Sequence, residues 1–557
     1  MQAVKNFILK IGKPVFFLFQ LMCYLLIYFL LLYNSFNYLD PDFGWHLKIG
    51  QDIYQNQQVP RIEIYNFPIL GQTWVDHEWL ANLLIYIIYE NFGYIAVSLG
   101  FALLIMIVLL LQNFLVKKYI CSKKTTIFLL LLLQLFGVYA SRGLFGIRVQ
   151  EVALLFILLL IWIYFEVERQ GQIRYLLFLP LLFYCWSQLH GSFMIGLVLL
   201  WIWFFSRNLL VMWAKKRRNR IAYMINLTFF TPISTSKKQN RFFLIMIIAS
   251  NIIVLFGPYG IELINFLTNY SNTFYMNHIM EWLSPFSLLT DIYSILYLLL
   301  GLSFYYFYFM FFYVNKKPVQ KVDGFMFMAG LVLFILAYRS TRHLPIFFLF
   351  SSFLFIEFFS KFKLKFIEKL LIFNYKSQVA LNLFGLLISV VFFIIIESLF
   401  TLTYFNKNPF QSYCENYPCY ALKYLREKKI THLKTLNVYM WGGYMLHEQP
   451  NTPIFIDGRL PIKKFKDKSF LEEYYRAFSP DSFNQAAYEY GFDLILIKSW
   501  SDKKNQSNMI LEILKKILRK IYDAEREKQE LKKTITENRN YGLIYTDDVS
   551  IVFIRQN

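Results

Sequence analysis

Cysteine is scarce in this chain, five in 557 residues, which excludes a small disulfide framework. Cys23, Cys121 and Cys185 lie in or beside apolar runs and read as packing residues. Cys414 and Cys419 stand close together in Cys-Glu-Asn-Tyr-Pro-Cys, where a disulfide and two separate thiols are both open; the pair alone is poor ground for zinc. Acidic residues are short as well: Lys and Arg exceed Asp and Glu by 21. No repeat period is present, which excludes a solenoid. The first apolar segment lacks a small-residue cleavage site and is long, so it reads as a retained span and not as a signal peptide.

What is abundant is hydrocarbon. Apolar residues make up 57% of the chain and the mean hydropathy is +0.42, more than a water-soluble fold needs, so the class is a polytopic α-helical membrane protein. The basic excess is then a matter of topology and not of nucleic acid, because Lys and Arg mark cytoplasmic loops. They cluster at Lys5, Lys10 and Lys13, at Lys117-Lys118 with Lys123-Lys124, at Arg169 with Arg174, from Lys215 through Arg220 with Lys237-Lys238 and Arg241, at Lys316-Lys317 with Lys321, and from Lys361 to Lys369.

Between these clusters lie candidate spans at Pro14–Phe36, Gly93–Leu115, Thr125–Ala140, Val149–Phe165, Tyr175–Leu189, Phe193–Met212, Phe242–Phe256, Ile292–Val314, Phe325–Tyr338, Pro345–Phe359 and Val379–Phe400, about 11 transmembrane helices. With the N-terminus in the cytoplasm, an odd count puts the C-terminal region outside and every strongly basic loop inside. Two domains are expected: a membrane domain over residues 1–400 with a large first outer loop at 37–92, and an extracytoplasmic soluble α/β domain over 401–557. In the latter, Leu436–Met440, Ile454–Ile456 and Leu494–Ile497 read as strands and Asn508 to Lys533 as a charged amphipathic helix. Within the first loop, Glu78 to Tyr89 suits a helix lying in the membrane interface.

Chemistry concentrates on the outer side. Asp40-Pro41-Asp42-Phe43-Gly44-Trp45-His46-Leu47-Lys48 follows the first span directly, and Trp74-Val75-Asp76-His77-Glu78-Trp79 follows on the same loop. Carboxylates there can accept a proton from an attacking group or hold a divalent cation; helix capping at a water-facing end is the plainer reading of Asp40 and Asp42. His77 and Glu78 suit a base or a metal ligand pair, or merely accompany the anchoring of Trp74 and Trp79. His190 ends a span and reads as a satisfied helix-terminal histidine. Arg142, Arg148, Arg339 and Arg342 fall outside, against the basic-inside trend, and need partners: a phosphate held by the guanidinium fork, or Glu151 or Asp42.

These residues give the chain a resemblance. It resembles the GT-C superfamily of membrane glycosyltransferases, which use polyprenyl-phosphate or polyprenyl-diphosphate sugars and keep an essential Asp in the loop after the first span. The Asp40-Pro41 step is similar to the Asp-Pro-aromatic motif of single-subunit oligosaccharyltransferases. The carboxylate pair before an aromatic is similar to that of protein O-mannosyltransferases and lipid A aminoarabinose transferases. A closer likeness is to a group of bacterial membrane proteins with Asp40 to Gly50, Trp74 to Leu80, Ser187 to Gly191, Glu281 to Pro285, Arg339 to Arg342, Trp441-Gly442-Gly443-Tyr444 and Asp457-Gly458-Arg459 in the same order. A WWDYG-like acceptor motif is missing, which points away from Asn sequons and toward single-sugar transfer.

The resemblance implies an inverting transferase of the bacterial cytoplasmic (inner) membrane, carrying a sugar from a polyprenyl-phosphate donor to a glycan, lipid or protein acceptor at the outer face, among membrane lipids and without nucleic acid. Asp40 and Asp42 would be catalytic. His46, His77, Glu78, Arg142, Arg148, His190, Arg339 and Arg342 would bind substrate or phosphate. A divalent metal, Mg or Mn, would be held by Asp40, Asp42 and Glu78. Asp457 and Arg459 would contact the acceptor or stabilise the outer domain, the structural role being favoured. A lipid or glycolipid transporter or flippase, and a non-catalytic envelope assembly protein of the same fold, are the alternatives.

Overall fold

The computed structural model describes residues 2–215, 229–230, 236–269, 273–288, 292–315, 322–361, 413–460, 463–465, 468–499 and 530–556. The eleventh candidate span, the basic residues Lys216 to Arg220, Lys316-Lys317 with Lys321, Lys363 to Lys369, and most of the helix expected from Asn508 lie outside the described residues. The chain divides into two compact units. The first comprises Met1–Phe36, Tyr94–Leu263 and Asn277–Thr403; the second comprises Asn37–Gly93, Ile264–Met276 and Tyr404–Asn557. The first outer loop, assigned above to the membrane domain, therefore groups with the C-terminal residues instead.

The first unit is helical. The other ten candidate spans fall on helices, and among the described residues five helices are long and apolar enough to cross a membrane: Phe17–Phe36, Trp79–Tyr119, Val149–Glu168, Lys237–Phe256 and Thr341–Ser360. The chain is a multi-pass membrane protein by this measure. Helix Trp79–Tyr119 is broken at Gly93, whose φ of 74° no residue with a Cβ adopts easily. Past the break it leaves Leu99, Leu103, Ile107, Leu110 and Phe114 exposed at helical spacing, the stripe a lipid-facing helix needs.

Inward faces pack closely. Gly137 of helix Lys124–Ala140 lies under Phe348 of helix Leu344–Lys361, where a Cβ would come within 2.0 Å of the ring. Among the described residues several buried charges in this unit are paired. Arg169 reaches Asp323 at 3.4 Å and Glu357 at 3.0 Å, and Arg207 reaches Glu168 at 2.6 Å while Trp203 Nε1 donates to the same carboxylate at 2.8 Å.

The second unit contains a four-stranded sheet in the order Thr435–Asn437, Leu494–Lys498, Ser550–Arg555, Tyr541–Thr546. The first pair is parallel, with Leu436 opposite Ile495, and the others are antiparallel, with Ile495 opposite Phe553. Of the three runs read as strands in the sequence, Leu494–Ile497 lies in this sheet, and Leu436–Met440 enters it only with Leu436 and Asn437 before turning into the helical turn Tyr439–Trp441. Ile454 makes only isolated bridges, to Asn66 and Thr435.

Glycine allows the loop after the first span to meet the C-terminal residues backbone to backbone. Helix Phe43–Asn56 packs on helix Gly442–Glu448 so closely that a Cβ on Gly44 would sit 2.2 Å from Gly443 O. A Cβ on Gly443 would in turn sit 2.4 Å from Pro41 O. Cys414 and Cys419 are joined in a disulfide, their Cα atoms 5.3 Å apart.

Behind this contact lies a buried ionic knot. Arg459 donates to Asp457 through Nε at 3.1 Å and through a terminal nitrogen at 2.7 Å. It also donates to Asn66 Oδ1 at 2.8 Å and pairs with Glu63 at 3.0 Å. Its guanidinium lies over the Trp74 ring, 4.7 Å from the centroid. Glu63 itself accepts the backbone N–H groups of Tyr65 and Asn66, both at 2.7 Å. Desolvation disfavours the Arg459 charge, but Asp457 and Glu63 outweigh it and hold the proton on. Asp457 and Arg459 are both buried.

Candidate active site

In the second unit the Asp40-Pro41-Asp42 turn is pinned from both sides. Asp40 Oδ1 accepts the Asp42 backbone N–H at 2.9 Å, and Asp40 O accepts that of Phe43 at 3.1 Å. Asp42 begins helix Phe43–Asn56 but its side chain does not cap it. Its Oδ1 instead accepts Trp45 Nε1–H at 2.9 Å and lies against Gly458, where a Cβ would come within 2.0 Å. Both carboxylates are half-buried.

One turn into that helix, His46 is buried beside Trp45, the two ring centroids 3.8 Å apart. His46 Nδ1 lies 2.5 Å from Asn82 Oδ1, and Asn82 Nδ2 donates to Asp76 Oδ2 at 2.8 Å. Because the Asn82 amide nitrogen is committed to Asp76, its oxygen is the acceptor, and the His46 proton sits on Nδ1. Glu78 lies between two imidazoles, 3.9 Å from His46 Nδ1 and 3.3 Å from His77 Nε2. His77 is partly exposed and stacks near Phe266, 5.3 Å between centroids.

Burial sets the charge states. Desolvation pushes His46 below the ordinary histidine value despite the opposing pull of Glu78, so the ring is neutral at pH 7. Desolvation pushes Asp76 up to about 6, against the neighbouring His77 and the hydrogen bonds it accepts. The result is an enclosed carboxylate, amide and imidazole joined by hydrogen bonds, beside two half-buried carboxylates that can accept a proton.

A second set lies in the first unit. Arg148 and Arg342 both pair with Glu281, Arg342 at 3.7 Å. Arg342 also lies over the Trp282 ring, 5.3 Å from its centroid. Burial would raise the Glu281 carboxyl, but the two arginines hold it below the usual range. Arg142 stacks on Tyr139 and Tyr293 and donates to Tyr139 O at 3.0 Å. Arg339 is exposed in the last turn of helix Gly324–Arg339. His190 is buried at the end of helix Phe178–Leu189, its Nδ1 accepting the Ser192 N–H at 3.0 Å.

Of the residues singled out in the sequence, Asp40, Asp42, His46, His77 and Glu78 thus share the second unit, and Arg148 and Arg342 share a carboxylate in the first. Glu151, one of the two carboxylates weighed as an arginine partner, accepts the Gly146 N–H at 2.8 Å. Asp76, from the Trp74–Trp79 cluster, and Asn82 complete the histidine chain; the signal for Asn82 is its place one turn into the helix that follows Glu78, where its N–H donates to Glu78 O at 2.9 Å. Among the described residues no group of three or more His, Cys, Asp or Glu side chains is disposed to hold a metal ion. A cation at Asp40 and Asp42 would need its remaining ligands from substrate and water, as Mg²⁺ commonly takes them.

No family model matches the chain, and no curated protein does. Among solved structures it is similar to the archaeal oligosaccharyltransferase AglB from Archaeoglobus fulgidus in complex with an inhibitory peptide and a dolichol-phosphate. The identity is 11% and the TM-score 0.45, over 87% of this chain and 69% of that one. A likeness that loose gives no residue correspondence.

Proposed function

We propose that the chain is a GT-C-type membrane glycosyltransferase that moves a sugar from a polyprenyl-phosphate donor to an acceptor at the outer face of the cytoplasmic membrane. The observation that carries this reading is the second unit's own chemistry: a carboxylate pair fixed against Gly443 and Gly458, next to an enclosed Asp76–Asn82–His46 chain and the His77–Glu78 pair. Asp40, with Asp42, orients the acceptor and takes its proton as the acceptor oxygen or nitrogen attacks the anomeric carbon. The bond to the lipid phosphate breaks on the opposite face, with inversion. Arg342, with Arg148 or Arg142, holds the departing phosphate and stabilises its growing charge. The Cys414–Cys419 disulfide supports an oxidising, extracytoplasmic setting for the second unit.

The test is Asp40→Asn and Asp42→Asn in the full chain, reconstituted with a set of polyprenyl-phosphate sugars. Both variants insert and fold as the wild type does, and both lose transfer, by at least a hundredfold for the residue acting as base. Full turnover by both removes the proposal. Loss of wild-type transfer on EDTA treatment, restored by Mg²⁺ or Mn²⁺, tests the metal. One observation favours a non-catalytic envelope protein instead: Arg148 and Arg342 already hold an internal carboxylate. Retained lipid phosphate with no product from any donor would select that reading.

A further inference from the structure

Trp441-Gly442-Gly443-Tyr444 touches three other stretches of the second unit. Trp441 Nε1 donates to Asn416 O at 2.9 Å, inside the loop that the Cys414–Cys419 disulfide closes. A Cβ on Gly442 would come within 2.3 Å of Ile456 O, and one on Gly443 within 2.4 Å of Pro41 O. The Tyr444 hydroxyl donates to Cys419 Sγ at 3.1 Å, and its ring centroid lies 5.1 Å from that of Tyr417. The disulfide loop also reaches the carboxylate turn directly: Tyr417, which is buried, donates its hydroxyl to Leu39 O at 2.9 Å.

Leu39 O belongs to the peptide that leads into Asp40. Beyond it, Asp40 Oδ1 accepts the Asp42 N–H at 2.9 Å and Asp40 O that of Phe43 at 3.1 Å. Gly443 bears on this turn at Pro41, and Tyr417 holds the chain where it enters. The disulfide loop fixes Tyr417 in its place: its N–H donates to Tyr413 O at 2.9 Å, and its carbonyl accepts the Cys419 N–H at 2.8 Å. Glu415 and Asn416 of the same loop are exposed. A solvent-facing loop keeps one conformation more readily when its ends are covalently joined.

We infer that Tyr417 is a positioning residue for Asp40, and that the disulfide keeps it so, which makes sugar transfer depend on the oxidised state of the Cys414–Cys419 pair. The inference rests on the transferase reading for its reaction. A dithiol reductant breaks the one S–S bond, passes two electrons and two protons to give two thiols, and closes into its own cyclic disulfide. The loop then moves, Leu39 O exchanges the Tyr417 hydroxyl for water, and Asp40 no longer stands where the acceptor delivers its proton. Misplacing a reacting group by about 1 Å costs about a hundredfold in rate.

The experiment follows two readouts in the full detergent-solubilised chain: sugar transfer per folded molecule, and amide hydrogen exchange of the peptide spanning Leu39 to Phe43. Thiol titration in denaturant checks the starting state, with three thiols per chain before reduction, Cys23, Cys121 and Cys185, and all five cysteines after it. Tyr417→Phe keeps the ring and removes only the hydroxyl. Its kcat falls by about tenfold or more with KM for the donor unchanged, and exchange at the turn quickens. Wild-type protein treated with dithiothreitol shows both changes, and oxidised glutathione reverses them. Cys414→Ser with Cys419→Ser shows them without reductant and responds to dithiothreitol no further. Unchanged exchange at the turn in both Tyr417→Phe and the reduced protein overturns the inference, and so does full transfer from a loosened turn. Five thiols before reduction overturn the redox dependence. A turn that loosens as expected, in a protein that transfers no sugar in any state, removes only the transferase reading.

Discussion

His46 Nδ1 lies 2.5 Å from Asn82 Oδ1, and the same Asn82 side chain donates to Asp76 at 2.8 Å. A single amide therefore satisfies one imidazole and one carboxylate, all three groups buried. Asn82→Ala leaves both neighbours without that partner. Each such group costs about 1–3 kcal/mol, so the variant loses roughly 2–5 kcal/mol of stability and its thermal transition falls accordingly. Transfer falls with it, because nothing then fixes the His46 tautomer. A variant with unchanged melting and unchanged turnover would show the chain to be incidental.

Much of this was legible in the sequence, and the limits have physical reasons. The crowding of Asp40, Asp42, Trp45 and His46 after an apolar run is a local signal, and these residues do share one unit. Glu281 lies 133 residues from Arg148, so its pairing depends on tertiary packing and not on spacing. Strand Tyr541–Thr546 is hard to read because it is only partly buried and carries no apolar run, whereas Ser550–Arg555 does carry one, Ile551 to Ile554, too short by itself to tell strand from helix. Ile454–Ile456 looks like a strand but lies in a crowded core, where Phe455 N–H is shared between Thr435 O and Asn437 Oδ1 and the Asn437 amide donates to Ile456 O. The grouping of the first loop with the C-terminal residues rests on glycines, whose missing side chains leave no hydrophobic pattern to read.

Asp76 makes stability depend on pH. Its carboxyl titrates near 6 in the folded protein against an ordinary value of 3.8. Between these values the folded state binds a proton that the unfolded state does not, so stability falls as pH rises. The contribution is fully present below about pH 4 and is lost as pH passes through about 6, on the order of 3 kcal/mol across the window. Asp76→Asn removes this slope. Thermal unfolding at pH 4.5 and pH 7 for both proteins measures it, and parallel pH dependences would contradict the assignment. Infrared difference spectra should show a protonated carboxyl band at pH 5 that the variant lacks.

Gly458 bears on chemistry through space alone. A methyl there would come within 2.0 Å of Asp42 Oδ1 and 3.1 Å of Trp45 Nε1. Gly458→Ala must therefore push Asp42 away and break the bond from Trp45. Overpacking of this kind costs about 1–3 kcal/mol, and transfer falls further than stability does, because the displaced group is a proposed catalytic carboxylate. Gly100→Ala, where nothing lies within 4 Å of the added methyl, is the control: it leaves transfer unchanged and, being inside a helix, does not lower stability. Full transfer by Gly458→Ala would mean that the placement of Asp42 is unimportant.

The Arg459 knot separates folding from catalysis. Removing its charge in Arg459→Met leaves Glu63 and Asp457 buried without their cation, at a cost of about 3–5 kcal/mol. Neutralising the carboxylates as well, with Glu63→Gln and Asp457→Asn, takes away the unpaired charges and recovers part of that loss. Buried ion pairs are frequently replaceable by neutral groups at little cost, so the triple variant should melt above the single one. Tyr65 links this knot to helix Phe43–Asn56 by donating to Asp52, which also accepts Lys48 Nζ at 2.8 Å. A purely structural knot then requires that turnover return together with stability in the triple variant. Recovery of the melting temperature with turnover still absent would place Arg459, Glu63 or Asp457 in the reaction itself, contrary to their enclosure.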